Sequence, residues 1–287
     1  MTIVLPIINE KEAIEKVLEE LQEFGYKKIL VVDGYSTDGS AELAAKWGAR
    51  VVGQVGKGKT GALVTAINQV KTSYMVVLDG DYTYDPASIK RMAVHARGYD
   101  QIIGARTDGR QNIPLINRIG NHVLNWLFRV LFAVRLSDVC SGMYLLRTKA
   151  AKTLDLTTGG FDVEVEIASQ FAARGKVAEV PVNYRPRLGE KKLSSLRHGL
   201  KIATTIVRLA NVYNPVLLYS GIIALALIPS IIALAWVLYM RIFLNSWHAG
   251  LALFSIMLFL LAAQGASVAT ISIMMQREER RIEKMLA

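Results

Sequence analysis

The sequence predicts an α/β domain with a mostly parallel sheet and helices on both faces, followed by a two-helix transmembrane hairpin. Three observations carry that expectation. Short β-branched runs alternate with helical stretches up to about residue 104, two long uncharged runs follow residue 214, and apolar runs end abruptly in aspartates. Near-continuous apolar strands separated by helices argue for a parallel sheet buried on both sides.

The strands are expected at "TIVLPI" (2–7), "KILVVD" (28–33), "ARVVG" (49–53), "YMVVLD" (74–79) and "QIIGA" (101–105). Between them "EKEAIEKVLEELQEF", "TDGSAELAAKW", "KTGALVTAINQV" and "PASIKRMAVHA" have helical length, with Ser36 or Asp38 and Pro86 as start signals. Ligands bind such sheets outside the carboxyl ends of the strands. Asp33, Asp79 and Asp81 fall at those ends. After residue 110 the alternation breaks down. Residues 113–136 and 193–213 space apolar residues at helical intervals, with Arg118, Arg129, Arg135 and Arg197, Lys201, Arg208 interleaved. Basic amphipathic helices of this kind suit a headgroup layer; for the first, an ordinary surface helix packed on the sheet is an equal alternative.

The chain has 287 residues, a formal net charge of +10 and one cysteine, Cys140. A single cysteine excludes an intramolecular disulfide framework and suits a reducing compartment. The excess of Lys and Arg fits a phosphate-bearing partner. Mean hydropathy is positive, at +0.30, because apolar content concentrates in residues 215–240 and 249–275, which carry no charge. Each run exceeds the roughly 20 residues that cross a bilayer core. Only eight residues join them, so they form an antiparallel hairpin; Pro229 and Gly265 are tolerable in lipid. Residues 176–213 hold eight Lys/Arg against two acids, and Arg277, Arg280, Arg281 and Lys284 follow the second run. The positive-inside tendency therefore puts residues 1–214 and the tail on the cytoplasmic face. The chain opens on a strand-like run rather than a signal peptide. The expected organisation is a domain at 1–192, an interface helix at 193–214, the hairpin at 215–275 and a tail at 276–287.

One motif argues for a rival. Gly53–Thr60, "GQVGKGKT", satisfies G-x-x-x-x-G-K-[ST], follows a strand and opens a helix, as a P-loop NTPase requires. Against it, the motif follows the third strand, and a single helix separates Thr60 from Asp79. The plain alternative is a glycine-rich turn with a solvated lysine, and outside an NTPase Lys59→Ala is expected to be mild. A non-catalytic membrane scaffold is a third class, disfavoured because both carboxylates of Asp79-Gly80-Asp81 remain.

Eight stretches carry a resemblance: "VLPIINEKEAI", "ILVVDGYSTDGS", "GKGKTGAL", "VVLDGDYTYDP", "IGAR", "LSDVCSGMYLLR", "FDVEVEIASQFAARGKVAEVPVNYRPR" and "GEKKLSSLRHGLKI". In this order they resemble family 2 glycosyltransferases of the GT-A, Rossmann-like fold, in the polyprenyl-phosphate branch that includes dolichyl-phosphate mannose and glucose synthases. The resemblance implies that Pro6, Asn9, Glu10 and Asp33 bind the donor nucleotide. Asp79, Gly80 and Asp81 form the D-x-D motif, with Asp81 favoured as the direct ligand of Mg²⁺ or Mn²⁺, and Lys57 and Arg106 supply cations to the donor diphosphate. Arg118, Asn121, Arg147, Arg187 and Lys192 are the implied acceptor-phosphate set; for Arg147 a solvated helix-start arginine is the alternative. The implied partners are a nucleotide sugar, a polyprenyl phosphate and the membrane, with no nucleic acid. Gly265 and Ala266 would support helix packing in a homo-oligomer. Thr83 stands where dolichyl-phosphate mannose synthases often have a glutamine that adds a metal contact, so UDP and GDP donors both stay open. A polyprenyl phosphate, already anionic near neutral pH, needs cations more than a general base. Accordingly His95, His122, His198 and His248 share no evident role.

Overall fold

The computed structural model describes residues 1–160, 162–189 and 195–286, in two compact units, Met1–Ile206 and Val207–Ala287. In the first unit the order is β1 (Thr2–Ile7), α1 (Lys11–Glu23), β2 (Ile29–Asp33), α2 (Ser40–Lys46), β3 (Arg50–Gly53), α3 (Gly58–Gln69), β4 (Tyr74–Val77), α4 (Ser88–His95), β5 (Gln101–Asp108), α5 (Leu115–Phe132), β6 (Tyr144–Arg147), α6 (Thr148–Ala151), α7 (Val163–Ala173) and β7 (Val177–Asn183). The five expected strands are β1 to β5. They join a seven-stranded sheet ordered β3-β2-β1-β4-β6-β5-β7. Its pairs are parallel except for β6, which runs antiparallel between β4 and β5.

Strand alternation explains the two cores. Ile3, Leu5 and Ile7 of β1 face one side, where they pack with Ile14, Leu18 and Leu21 of α1 and Ile89 and Met92 of α4. Val4, with Leu30, Val32, Met75 and Val77, faces the other, against Leu63 and Ile67 of α3 and Ile167 and Phe171 of α7. Fully burying each such side chain contributes about 1.5–3 kcal/mol relative to exposure. Two buried faces hold the sheet rigid, so the loops at its carboxyl edge rest on a fixed frame.

The helix expected over 113–136 is α5, and it is amphipathic in an unusual sense. Phe128 and Phe132 stack with ring centroids 4.4 Å apart on its buried side. Ile116, Ile119, Val123, Trp126 and Val130 form a second apolar stripe that is more than half exposed.

Helix α8 (Ser195–Tyr213) leads toward α9 (Pro215–Phe243) and α10 (Ala249–Leu286). Helix α9 and the Ala249–Met275 part of α10 are long and apolar enough to cross a membrane, with mean hydropathy of 2.5 and 2.0. The two helices pack as a hairpin through a reciprocal pair of hydrogen bonds: Ser230 Oγ donates to the Ser255 carbonyl at 2.9 Å, and Ser255 Oγ to the Ser230 carbonyl at 2.8 Å. Gly265 lets Ile223 approach closely. Helix α10 continues past residue 275 to Leu286.

Candidate active site

The carboxyl ends of β1, β2 and β4 lie side by side, with Ile7 in register with Asp33. Here the chain gathers its polar loops. Asp33 is buried and ties down the loop beyond it: Ser36 donates to it through Oγ (2.5 Å) and through its backbone N–H. Asn9, held at φ 51°, accepts the Thr37 N–H at 2.8 Å, and its own N–H donates to Ser36 Oγ at 2.9 Å. Asp38 accepts the Lys11 N–H at 3.0 Å and, at its other oxygen, the N–H and hydroxyl of Ser40, the first residue of α2. Beside these loops a cleft of about 450 Å³ is lined by Ile8, Asn9, Glu10, Lys11, Glu12, Asp38 and Gly189. Pro6 is the next-to-last residue of β1, so Pro6, Asn9, Glu10 and Asp33 come together at this sheet edge.

Beyond β4 the chain turns through Asp79-Gly80-Asp81. A Cβ at Gly80 would lie 2.7 Å from the Ile7 side chain, so this glycine brings the turn against β1. Asp81 is almost wholly buried. Its Oδ1 accepts Thr83 Oγ1 at 2.5 Å and the Thr83 N–H at 3.2 Å, and its Oδ2 lies 3.0 Å from Arg187 Nη1. Thr83, itself 1% exposed, thus braces Asp81. Arg187 also reaches Glu10 at 2.8 Å. Burial pushes the Asp81 carboxyl up, the charge of Asp79 adds to this, and Thr83 and Arg187 offset part of it.

Asp79 is held from the other side. Lys59 Nζ lies 2.5 Å from Asp79 Oδ1 and 2.5 Å from Glu164 Oε1. Burial works against the Lys59 charge, but Asp79 and Glu164 more than offset it and raise the ammonium well above its ordinary range. Burial pushes Glu164 up as well, with Lys59 opposing. Lys59 is therefore no solvated lysine on a glycine-rich turn, and the expectation that Lys59→Ala is mild does not stand. Its ammonium faces inward onto carboxylates rather than outward to a phosphate.

The remaining residues separate. Arg106, on β5, is locked to Asp138 by Nε and Nη2 at 2.6 Å each, and its guanidinium stacks on Tyr184 at 5.3 Å. Burial opposes its charge and Asp138 more than offsets this. Asn125 of α5 holds the loop that carries Asp138, donating to the Ser137 carbonyl and accepting the Val139 N–H. Lys57 is exposed at the start of α3. Arg118 and Asn121 lie in the first two turns of α5, Arg118 exposed and Asn121 half-buried. Lys192 lies outside the described residues.

Arg147 needs correcting as an acceptor-phosphate residue. Because β6 runs antiparallel, its last residue pairs with Tyr74 at the start of β4, the edge opposite Asp79. There Arg147 is 3.3 Å from Asp100 and donates to the Arg97 carbonyl.

Lys59, Glu164 and Asp138 were not among the expected site residues. The signal for Glu164 was present: two acids, Glu164 and Glu166, stand in the first turn of a helix that is buried almost throughout.

The fold and site define a mostly parallel α/β sheet with a D-x-D turn at its carboxyl edge. Residues 2–154 match the family described as glycosyl transferase family 2. The chain is 36% identical to glycosyltransferase AglJ of Haloferax volcanii over 231 residues, 78% of this chain and 76% of the relative. To the dolichyl-phosphate hexose transferase of the same organism it is 33% identical over 215 residues, 72% of this chain and 92% of that one. The fold is also that of glucosyl-3-phosphoglycerate synthase from Mycobacterium tuberculosis, solved with Mn²⁺, UDP-glucose and phosphoglyceric acid. That likeness has a TM-score of 0.61 and 20% identity, over 73% of this chain and 79% of that one. The chain belongs to glycosyl transferase family 2, and it is a glycosyltransferase. The P-loop NTPase and scaffold readings of Gly53–Thr60 and the D-x-D turn are thereby set aside.

Proposed function

We propose that this glycosyltransferase is membrane-bound and inverting, and that it moves a hexose from a nucleoside-diphosphate sugar to a polyprenyl (dolichyl) phosphate. The observation that carries the reading is the charge at the sheet edge. Ion pairs link Asp79 and Glu164 to Lys59, and Asp81 and Glu10 to Arg187, so four carboxylates gather around the D-x-D turn. Two carboxylates on one turn, Asp79 and Asp81, fit a divalent cation. Among the described residues no group of three or more His, Cys, Asp or Glu side chains is arranged to hold a metal. In Mg²⁺-type sites one or two carboxylates and the substrate phosphates share the ion. Asp81 and Asp79 would hold Mg²⁺ or Mn²⁺. When bound, the cation supplies neutralisation of the charge that grows on the departing diphosphate.

The chain's own residues do the rest. The loops fixed by Asp33 and Asn9 would seat the nucleotide, with Pro6 and Glu10 alongside. Lys57, exposed at the start of α3, is free to meet the diphosphate, whereas Arg106 acts through the field of its buried pair. Arg187, between Asp81 and Glu10, would meet the anionic acceptor together with Arg118, Asn121 and Lys192. The acceptor phosphate is its own nucleophile, with a second pKa of ~6, so no general base is required. In-line attack would invert the sugar C1 configuration.

The acceptor class is supported by the dolichyl-phosphate hexose transferase relative, and the metal by the Mn²⁺ and UDP-glucose of the M. tuberculosis enzyme. The two apolar helices and the exposed stripe on α5 support a headgroup location. With the charge distribution, they support a cytoplasmic catalytic domain at 1–192, an interface helix at 193–214 and a hairpin at 215–275. The test is a donor screen in membranes: UDP- and GDP-hexoses with Mg²⁺ or Mn²⁺ and polyprenyl phosphate, following sugar into the lipid fraction. Transfer from one donor is expected. Donor consumption without lipid-linked sugar would refute the acceptor assignment.

A further inference from the structure

Lys59, Asp79 and Glu164 meet from three elements: the second residue of α3, the turn after β4 and the second residue of α7. The side chains of Lys59 and Glu164 are 10% and 5% exposed, while Asp79 is 29% exposed and opens to the site. Tyr144 of β6 lies within electrostatic reach of all three groups, with its hydroxyl buried and unpartnered. The second oxygen of Asp79 rests on Gly142, where a Cβ would stand 1.9 Å from it. Asp79 is thus held by a cation through one oxygen, while the missing side chain of Gly142 leaves the room its other oxygen occupies.

We propose that Lys59, anchored by Glu164, is a positioning residue for donor–metal binding: it fixes the Asp79 carboxylate in the orientation the metal–diphosphate complex requires. The proposal rests on the reading of Asp79 and Asp81 as the donor–metal site. Its physical basis is an imbalance. A buried lysine is stable with one carboxylate, and a buried pair kept only for structure is replaceable by apolar groups at little cost. Here a second carboxylate, Glu164, is buried as well, and the group keeps excess negative charge facing the donor side. Lys59 therefore restrains Asp79 without using up the charge that attracts a cation. Residues that orient a metal ligand in this way typically change metal affinity 10–100-fold when removed. The lysine of the P-loop-like Gly53–Thr60 motif is in this chain a support for the D-x-D turn.

The test uses the full chain in detergent, with Lys59→Met, Glu164→Gln and the double variant. UDP and GDP binding is measured calorimetrically with Mn²⁺ and with EDTA, alongside melting temperature. Lys59→Met alone leaves two buried carboxylates without a cation and should melt lower. The double variant removes one of those two charges, which restores the wild-type net charge of the group, and should recover most of the lost melting temperature. The proposal expects the double variant to lose about tenfold or more of the affinity gained from Mn²⁺ while its binding in EDTA is unchanged. Glu164→Gln, which keeps the Lys59–Asp79 pair, should lose a smaller share of the same gain. If both the double variant and Glu164→Gln keep the full gain, or lose EDTA binding in proportion, Lys59 supports only the fold and the proposal falls. A wild-type chain that gains nothing from Mn²⁺ would instead overturn the donor–metal reading beneath it.

Discussion

Gly142→Ala places one methyl group against the D-x-D turn. The new Cβ would sit 1.9 Å from Asp79 Oδ2, 2.5 Å from its Cγ and 2.9 Å from Oδ1. The first of these is about 1.5 Å short of ordinary contact. Gly142 is not among the glycines at positive φ, so alanine adds no backbone strain and the clash falls on the aspartate. Asp79 must swing away from Lys59, losing a charge-assisted hydrogen bond worth about 1.5–3 kcal/mol. Because Asp79 is 29% exposed and can reach water, the lower end applies. For a unit of this size that is a melting decrease of about 3–6 °C. Misplacing a reacting-centre group by about 1 Å costs on the order of 10²-fold in rate. Transfer into the lipid fraction should therefore fall about a hundredfold in a protein that still folds. A Gly142→Ala enzyme with wild-type transfer and wild-type melting would refute the placement of Asp79.

Asp138→Ala strands the buried Arg106 guanidinium, which breaks a buried pair at a cost of about 3–5 kcal/mol; scanning calorimetry should show a drop on the order of 10 °C, and an unchanged curve would contradict the pairing. Arg147→Ala, at the far edge of the sheet, should leave the KM for polyprenyl phosphate unchanged; a several-fold rise in that KM would return Arg147 to the acceptor site.

The sequence exposes its parallel half more readily than its antiparallel part. Strands β1, β2 and β4 are buried on both faces, so their apolar runs stand out, and those of β2 and β4 lead into the aspartates that mark the site. Strand β6 is four residues long and follows a loop, and nothing in its composition discloses that it runs backwards. Arg147 was placed by the family resemblance alone, and the backward run of β6 puts it at the opposite edge. Strand β7 contains Pro181 and Glu179, which are tolerable because it lies at the sheet edge. Within the site, carboxylates at strand ends were legible because sheet geometry brings strand ends together. The pairings of Lys59 with Glu164 and of Arg106 with Asp138 were not, since they join distant parts of the chain that only the folded sheet brings into contact. Lys59 was further disguised by its motif, which in another fold would turn the same ammonium toward a phosphate.

The most direct measurement compares wild type with Asp81→Asn in sugar transfer from the preferred nucleotide sugar to polyprenyl phosphate, in membranes with Mg²⁺ or Mn²⁺ and then with EDTA. The account predicts metal-dependent transfer in the wild type, abolished by EDTA. In Asp81→Asn it predicts transfer reduced by about 10²-fold or more, with the protein still folded and membrane-bound. Equal turnover by the two proteins, or transfer indifferent to EDTA, would contradict it.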